Sequence, residues 1–293
     1  SVTEAITHDL PSGRSITLEP LQRKGDKVGV DDYFPCCIIL NNDMSGGVPE
    51  KLQNVTQQIM PCTEVGWSTR LKSVHFYHYE KLAKAFAEHI NIDPWLITPY
   101  FDQCPEVNFL QREGVECLVT RADALLKKIR KKYEEHGIEE EPFLAVKADQ
   151  GTYGMAVMMV KDPEELKQLN RKQRTRMASA KGGVVVTKTI IQEGIYSYEN
   201  PSDKNAIAEP VIYSFGRHAI GGFYRVHKDR GPTDNLNAPG MEFEPLPFSQ
   251  PCNLPLEDGE QPLGRFYCYG VIARLAQLAA AKEIAAQKGR LTA

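Results

Sequence analysis

Several absences bound this sequence before any motif does. No stretch of 18 or more consecutive apolar residues occurs, so no transmembrane helix is expected. There is no charged–apolar–small segment of the kind that directs secretion. Seven cysteines are present, but no C-x-x-C pair, and the number is odd. In a chain of 293 residues that argues against a disulfide framework and predicts reduced thiols in a cytoplasm. Charge of one sign is also lacking. The net charge of -3 gives no general field for nucleic acid, and the basic runs at 127–132 and 171–176 read as solvated helix faces. No internal repeat or low-complexity tract is visible. What remains is a composition 42% hydrophobic and 25% charged, ordinary for a globular chain of one large or two smaller domains. The first residue is Ser1, not Met, which predicts a processed or shortened start.

Hydrophobic patterning organises the rest. Strands are expected at 15–18 and at 34–40, the latter a nearly continuous apolar run of the buried, parallel kind. It ends in Asn41, Asn42 and Asp43, which are placed either to line a crevice at a strand carboxyl end or simply to build a turn. Helices are predicted at 50–60 and 79–89. A second unit begins near Arg112, so the division expected is 1–111 and 112–293. Within it, 116–120 reads as a strand and 121–136 as an amphipathic helix closed by Gly137. A strand at 143–148, a glycine loop at 149–154 and a strand at 155–160 follow. A helix at 162–177 opens on Asp-Pro. Strands are expected at 184–193, 206–215 and 218–227, the last two joined by a Gly216-Arg217 hairpin. A Pro-rich loop at 232–262 and an Ala-rich helix at 267–287 complete the pattern, which is α/β overall and α+β in its second half.

Chemistry concentrates at 143–160. A strand carries Lys147 into a loop containing Gly151, Thr152, Tyr153 and Gly154, and a second strand follows. A nucleoside triphosphate needs cations near its phosphates and backbone N–H groups free to approach them, which glycines allow. The glycines here lie between two strands, unlike a Walker loop or a dinucleotide fingerprint. A plain β-hairpin would look the same, but a lysine inside an apolar strand is costly unless paired. Gln192 and Glu193 end an apolar strand and offer acceptors to an adenine amine and a ribose hydroxyl. Arg225 follows a glycine pair on another strand and suits a transferring phosphoryl group. Asn235 and Asn237 sit in a rigid amide-rich loop and can reach phosphate or metal-bound water, or serve the loop alone. Glu209 opens a strand as a candidate for substrate ammonium or metal, or as an ordinary strand-end carboxylate. Arg70, Lys72 and His75 are candidates for substrate carboxylates, with surface roles the alternative. His227 reads as packing.

The order of these segments resembles the ATP-grasp fold, in particular the ATP-binding part of bacterial glutathione synthetase. Leu118-Val119-Thr120-Arg121, Lys147 with Gly151-Thr152-Tyr153-Gly154, and the run from Asn235-Leu236 to Glu244-Pro245 carry that likeness. A wider resemblance, to the proteobacterial glutamate–cysteine ligase family, rests on segments along nearly the whole chain. They include Ile39-Leu-Asn-Asn-Asp43, Gly66-Trp67, Lys72-Ser73, His75-Phe76, Ile92-Asp-Pro-Trp-Leu-Ile97, Ile191-Gln-Glu-Gly194, Gly221-Gly-Phe-Tyr-Arg-Val-His227 and Asn235-Leu-Asn-Ala-Pro-Gly-Met241.

The resemblance implies ATP-dependent joining of the glutamate γ-carboxylate to cysteine through an acyl phosphate, with Mg²⁺ as the accompanying ion. Lys147, Gly151, Thr152, Tyr153, Gly154, Gln192, Glu193, Asn235 and Asn237 would hold the nucleotide. Arg225 and Lys147 would act in catalysis, and Asn41, Asn42, Asp43, Arg70, Lys72 and His75 would meet substrate. The fold implied is ATP-grasp-like and permuted, with an open α/β substrate domain. Its metal-binding strand would lie in an amino-terminal part preceding Ser1, leaving Glu209 as the local metal candidate. Partners would be small molecules, without nucleic acid or membrane. Two alternatives stay open: another ATP-grasp carboxylate–amine ligase, or a non-catalytic nucleotide-binding module.

Overall fold

The computed structural model describes residues 3–40, 42, 44, 46–66, 69–150, 155–179, 185–199, 206–246 and 266–291. Two compact units divide the chain, Ser1–Arg70 and Leu71–Ala293. Small sheets and four α-helices make up the described residues, a mixed α/β architecture.

In the first unit, β1 (Ile6–Asp9) and β2 (Ser15–Leu18) form an exposed antiparallel hairpin, and β3 (Gln22–Lys24) and β4 (Lys27–Gly29) form a second. Strand β5 (Cys37–Ile39) pairs in parallel with β6 (Gln58–Met60). Val28, Met44 and Leu52 are the buried centre, with Ile38, Leu40, Val48, Val55 and Ile59 packed around them. Gln57 ties the layers, accepting from the Val28 N–H at 2.6 Å and donating to the carbonyls of Val28 and Pro35. The helix expected at 50–60 is not formed. One 3₁₀ turn spans Glu50–Leu52. Asn54 then adopts φ +53°, which stops a right-handed helix, and residues 58–60 are taken by β5. Pairing with a distant strand wins over local propensity here.

The second unit opens with α1 (Lys72–Ile90) and then β7 (Phe101–Cys104). Residues 71–111, which the sequence pattern groups with the first segment, thus pack in this unit. Next come α2 (Val115–Glu135), β8 (Leu144–Ala148), β9 (Val157–Val160), α3 (Arg171–Ala178) and β10 (Thr189–Glu193). The strands form an antiparallel sheet in the order β7-β10-β8-β9. One face of it is covered by α2, whose Leu118, Ala122, Leu125, Leu126, Ile129 and Tyr133 repeat at three- and four-residue spacing and are buried. That stripe explains why 116–120 is helix and not the expected strand: Leu118 begins it. The helix predicted at 162–177 is broken into a 3₁₀ segment, Pro163–Lys167, and α3. Asn170 supplies the reason, because its side chain accepts from the Gln173 N–H and starts a new helix with a reciprocal capping box.

Strands β11 (Ile207–Phe215), β12 (His218–His227) and β13 (Glu242–Pro245) build a second antiparallel sheet. Gly216, at φ +56°, turns the expected hairpin. Ala206, Ala208, Tyr224, Val226 and Leu246 form the buried face of this sheet, with Tyr269 of α4 (Phe266–Leu291) against it. Helix α4 also packs on α1 through Leu275 and Ala279 against Tyr79 and Ala83. None of the described helices is long and apolar enough to cross a membrane.

Candidate functional site

Alternation along β8 and β10 sorts the candidate residues. Leu144, Val146, Ala148 and Ile191 face the α2 core. Lys147 therefore points to the other face, with its direct partner Ile190 and the diagonal neighbour Gln192. The Lys147 ammonium donates to Gln192 Oε1 at 3.0 Å. Burial drives its pKa below the usual lysine value, and the charge of Glu209 opposes that shift. Glu209 lies on β11 directly opposite Arg225 on β12, and the guanidinium Nη1 donates to its carboxylate at 2.5 Å. The Arg225 Nε is buried and meets no acceptor among the described residues. One carboxylate thus binds Arg225 and acts through its charge on Lys147, and one guanidinium donor is left over among the described residues. That combination suits an anion.

The end of β8 is fixed as firmly. Asp149 is 2% exposed, and its two oxygens accept from the Ser73 N–H at 2.8 Å and the Ser73 hydroxyl at 2.6 Å. It caps the first turn of α1 from a distant part of the chain. Lys72, in that same turn, donates to the Ala148 carbonyl at 2.8 Å. The segment that follows Asp149 therefore departs from the amino-terminal end of α1, close to Lys147. Its Gly151, Thr152, Tyr153 and Gly154 lie outside the described residues, as do Asn41 and Asp43.

Other candidates are placed elsewhere. Glu193 is on the α2 side of the sheet, 3% exposed. Its carboxylate accepts from Trp95 Nε1 at 3.0 and 3.1 Å and from the Tyr100 N–H at 2.9 Å. Burial pushes its pKa up against those hydrogen bonds. Gln192 and Glu193 are thus not brought together: one faces Lys147 and the other is a buried tie between strand and loop. His75 Nδ1 is bonded to the buried Glu283 carboxylate of α4. Asn42 closes a turn onto the Met44 N–H, and Asn235 does the same for Asn237 around the buried Leu236. Arg70 is half-buried in the first unit. His227 accepts from the Asp229 N–H through Nδ1, so its Nε2–H donates to the Pro239 carbonyl at 3.0 Å. Both ring nitrogens are thus engaged by backbone groups, which is a structural role.

Two participants were hard to see in advance. Asp149 gives no sequence signal as a cap, since its helix lies far behind it in the chain. The Glu209–Arg225 pair depends on a β-bulge between Tyr213 and Ser214. Counted back from the hairpin without that bulge, Glu209 would face Tyr224 instead.

The GshA family model, glutamate-cysteine ligase, matches residues 1–284. The crystal structure of a candidate gamma-glutamylcysteine synthetase from Methylobacillus flagellatus KT superposes with a TM-score of 0.85 at 48% sequence identity. The alignment covers 98% of this chain and 68% of that one. No curated protein matches.

Proposed function

The chain belongs to the glutamate–cysteine ligase family, and from that premise we propose how its own residues carry the reaction. The ligation joins glutamate to cysteine. The proposed energy source is ATP, and the proposed route is an acyl phosphate. A γ-carboxylate oxygen of glutamate attacks the terminal phosphorus and ADP leaves. The cysteine amine then attacks the activated carbonyl, loses a proton, and expels inorganic phosphate.

The observation that carries this reading is that one carboxylate, Glu209, is bonded to Arg225 and lies near enough for its charge to act on the buried Lys147. Lys147 is a desolvated cation held by a neutral amide, and the buried Arg225 Nε–H has no acceptor among the described residues. Both gain a partner when phosphate oxygens arrive. Lys147 would bind phosphate oxygens in the ground state. Arg225, oriented by Glu209, would meet the charge that spreads over the phosphoryl oxygens during transfer. Gln192 would hold the lysine in place before the nucleotide enters. The glycine segment 151–154 would close over the phosphates, and Asn235 with Asn237 would present the following loop. We assign the adenosine end to the backbone of 192–193, because the Glu193 side chain is committed to Trp95 and Tyr100. Recognition of the amino acids is assigned to residues before Arg112, with Asn41, Asn42, Asp43, Arg70 and Lys72 as candidates. The nucleotide is assigned to 112–293, in an ATP-grasp arrangement of the two sheets.

For Mg²⁺ the described residues do not fit. No group of three or more His, Cys, Asp or Glu able to hold a metal occurs among the described residues. The Glu209 carboxylate is engaged by Arg225.

ADP formation is the test. It should require glutamate and cysteine together, and Lys147→Met or Arg225→Met should reduce it about a hundredfold or more. Full activity in both variants, with the fold intact, would reject the assignment. Replacing cysteine by other amines tests the alternative that a different acceptor is used.

A further inference from the structure

A second chemically equipped place lies on the α2 side of the four-stranded sheet. Cys104, the last residue of β7, is 1% exposed, whereas Cys117, in the first turn of α2, is exposed. Their sulfurs are 3.1 Å apart, with the Cys104 thiol donating to Cys117 Sγ. The Arg121 Nε donates to the same sulfur at 3.3 Å. Two donors therefore converge on one exposed sulfur, at the end of a helix where the backbone dipole favours negative charge. That is the environment of a thiolate. Its neighbour is enclosed and stays a thiol.

Both residues line a cavity of about 660 Å³, whose polar lining includes Glu106, Asn108, Glu113 and Thr187. The volume suits a small molecule. The carboxylates suit its ammonium groups. On the wall of the sheet, Thr189 sits opposite Cys104 in the strand register, and its hydroxyl is buried without a partner among the described residues.

We propose that Cys117 and Cys104 form a thiol–disulfide pair that reacts with low-molecular-weight amino-acid disulfides, Cys117 attacking and Cys104 resolving. The family reaction supplies the chemical class, since its substrate and product are both thiols whose oxidised forms are such disulfides. In the first step the Cys117 thiolate attacks one sulfur of the small disulfide, which gives a mixed disulfide and releases one small thiolate. In the second, the Cys104 sulfur attacks Cys117 Sγ. The intramolecular disulfide forms, the second small thiolate leaves, and the Cys104 proton ends on it. Two protein thiols are oxidised while one small disulfide is reduced to two thiols. Closing the bond needs the sulfurs to approach by about 1 Å, a side-chain movement, given a bond of about 2.05 Å. The thiol acidities set the order of attack, Cys117 first. Hydrogen bonds from Cys104 and Arg121 hold Cys117 below the usual thiol value, and burial pushes Cys104 up to about 12.

The test is intact-mass and peptide-mass analysis of the reduced enzyme after exposure to cystine or to the disulfide of γ-glutamylcysteine. The expected result is loss of two hydrogens, with the peptides of Cys104 and Cys117 joined; the faster arm names the natural oxidant. Cys104→Ser should accumulate a dithiothreitol-sensitive mixed disulfide on Cys117. Cys117→Ser should leave Cys104 unmodified in the folded protein, and Arg121→Gln should slow the first step severalfold. Both disulfides leaving the pair reduced, or Cys117 alkylating no faster than the exposed Cys36, would overturn the proposal.

Discussion

Replacing Lys147 by Met should move activity and stability in different directions. The lysine is half-buried on β8, its ammonium bonded to the neutral Gln192 amide, and its pKa is lowered by burial. A lowered lysine pKa means the folded state disfavours the charged form. That penalty is complete at pH below the folded value and disappears as pH rises towards the unfolded value, where both states are neutral. The sign is therefore a cost to stability at neutral pH. A methionine of similar length removes it and keeps the packing, so the variant should unfold at the same temperature or about 2 °C higher, from a gain on the order of 1 kcal/mol. Loss of one preorganised contact to a charge-developing group should reduce turnover about 10²–10³-fold. Thermal unfolding and coupled ADP release on the same preparation read both quantities. The stability of the parent protein should also rise with pH above neutrality more than that of the variant. A fall of several degrees in unfolding temperature, or turnover close to the parent's, would refute the reasoning, because Lys147 would then be a structural cation.

Glu193→Ala should cost about 2–3 kcal/mol by leaving Trp95 Nε1 and the Tyr100 N–H unsatisfied, measurable by urea unfolding. Its carboxyl has a raised pKa, so its contribution is complete below the unfolded carboxylate value and is lost as pH rises through the folded one; Glu193→Gln should flatten that part of the stability–pH curve. Asp149→Ala should lower stability by about 1 kcal/mol through loss of the α1 cap, and should raise the KM for nucleotide because the glycine segment departs from that point. Leu126→Ala, in the fully buried stripe of α2, should cost about 2–5 kcal/mol without changing KM.

The long periodic elements were legible in the sequence. Strand β8, the β11–β12 hairpin with its Gly216 turn, and the Ala-rich α4 lie where hydrophobic pattern and turn residues put them, because local and tertiary preferences agree there. Failures occurred where a distant partner decides. Residues 58–60 extend only because β5 is beside them, and 116–120 is helical because Leu118 belongs to a stripe whose other members come later. The candidate site was legible as residue types on strands: a lysine in an apolar run and an arginine after two glycines. Which of them meet was not. Period-two alternation separates Gln192 from Glu193, yet deciding which faces Lys147 required knowing that α2 covers the other side. The bulge at Tyr213–Ser214 aligns Glu209 with Arg225, and nothing in the local sequence announces it.

The central claim, phosphoryl transfer to glutamate before amide formation, is tested most directly by following oxygen. Glutamate labelled with heavy oxygen in its γ-carboxylate is incubated with the enzyme, ATP and cysteine, and the inorganic phosphate is analysed by mass spectrometry. One labelled oxygen in each phosphate released is the predicted result. Phosphate carrying no label, alongside normal dipeptide formation, would contradict the account.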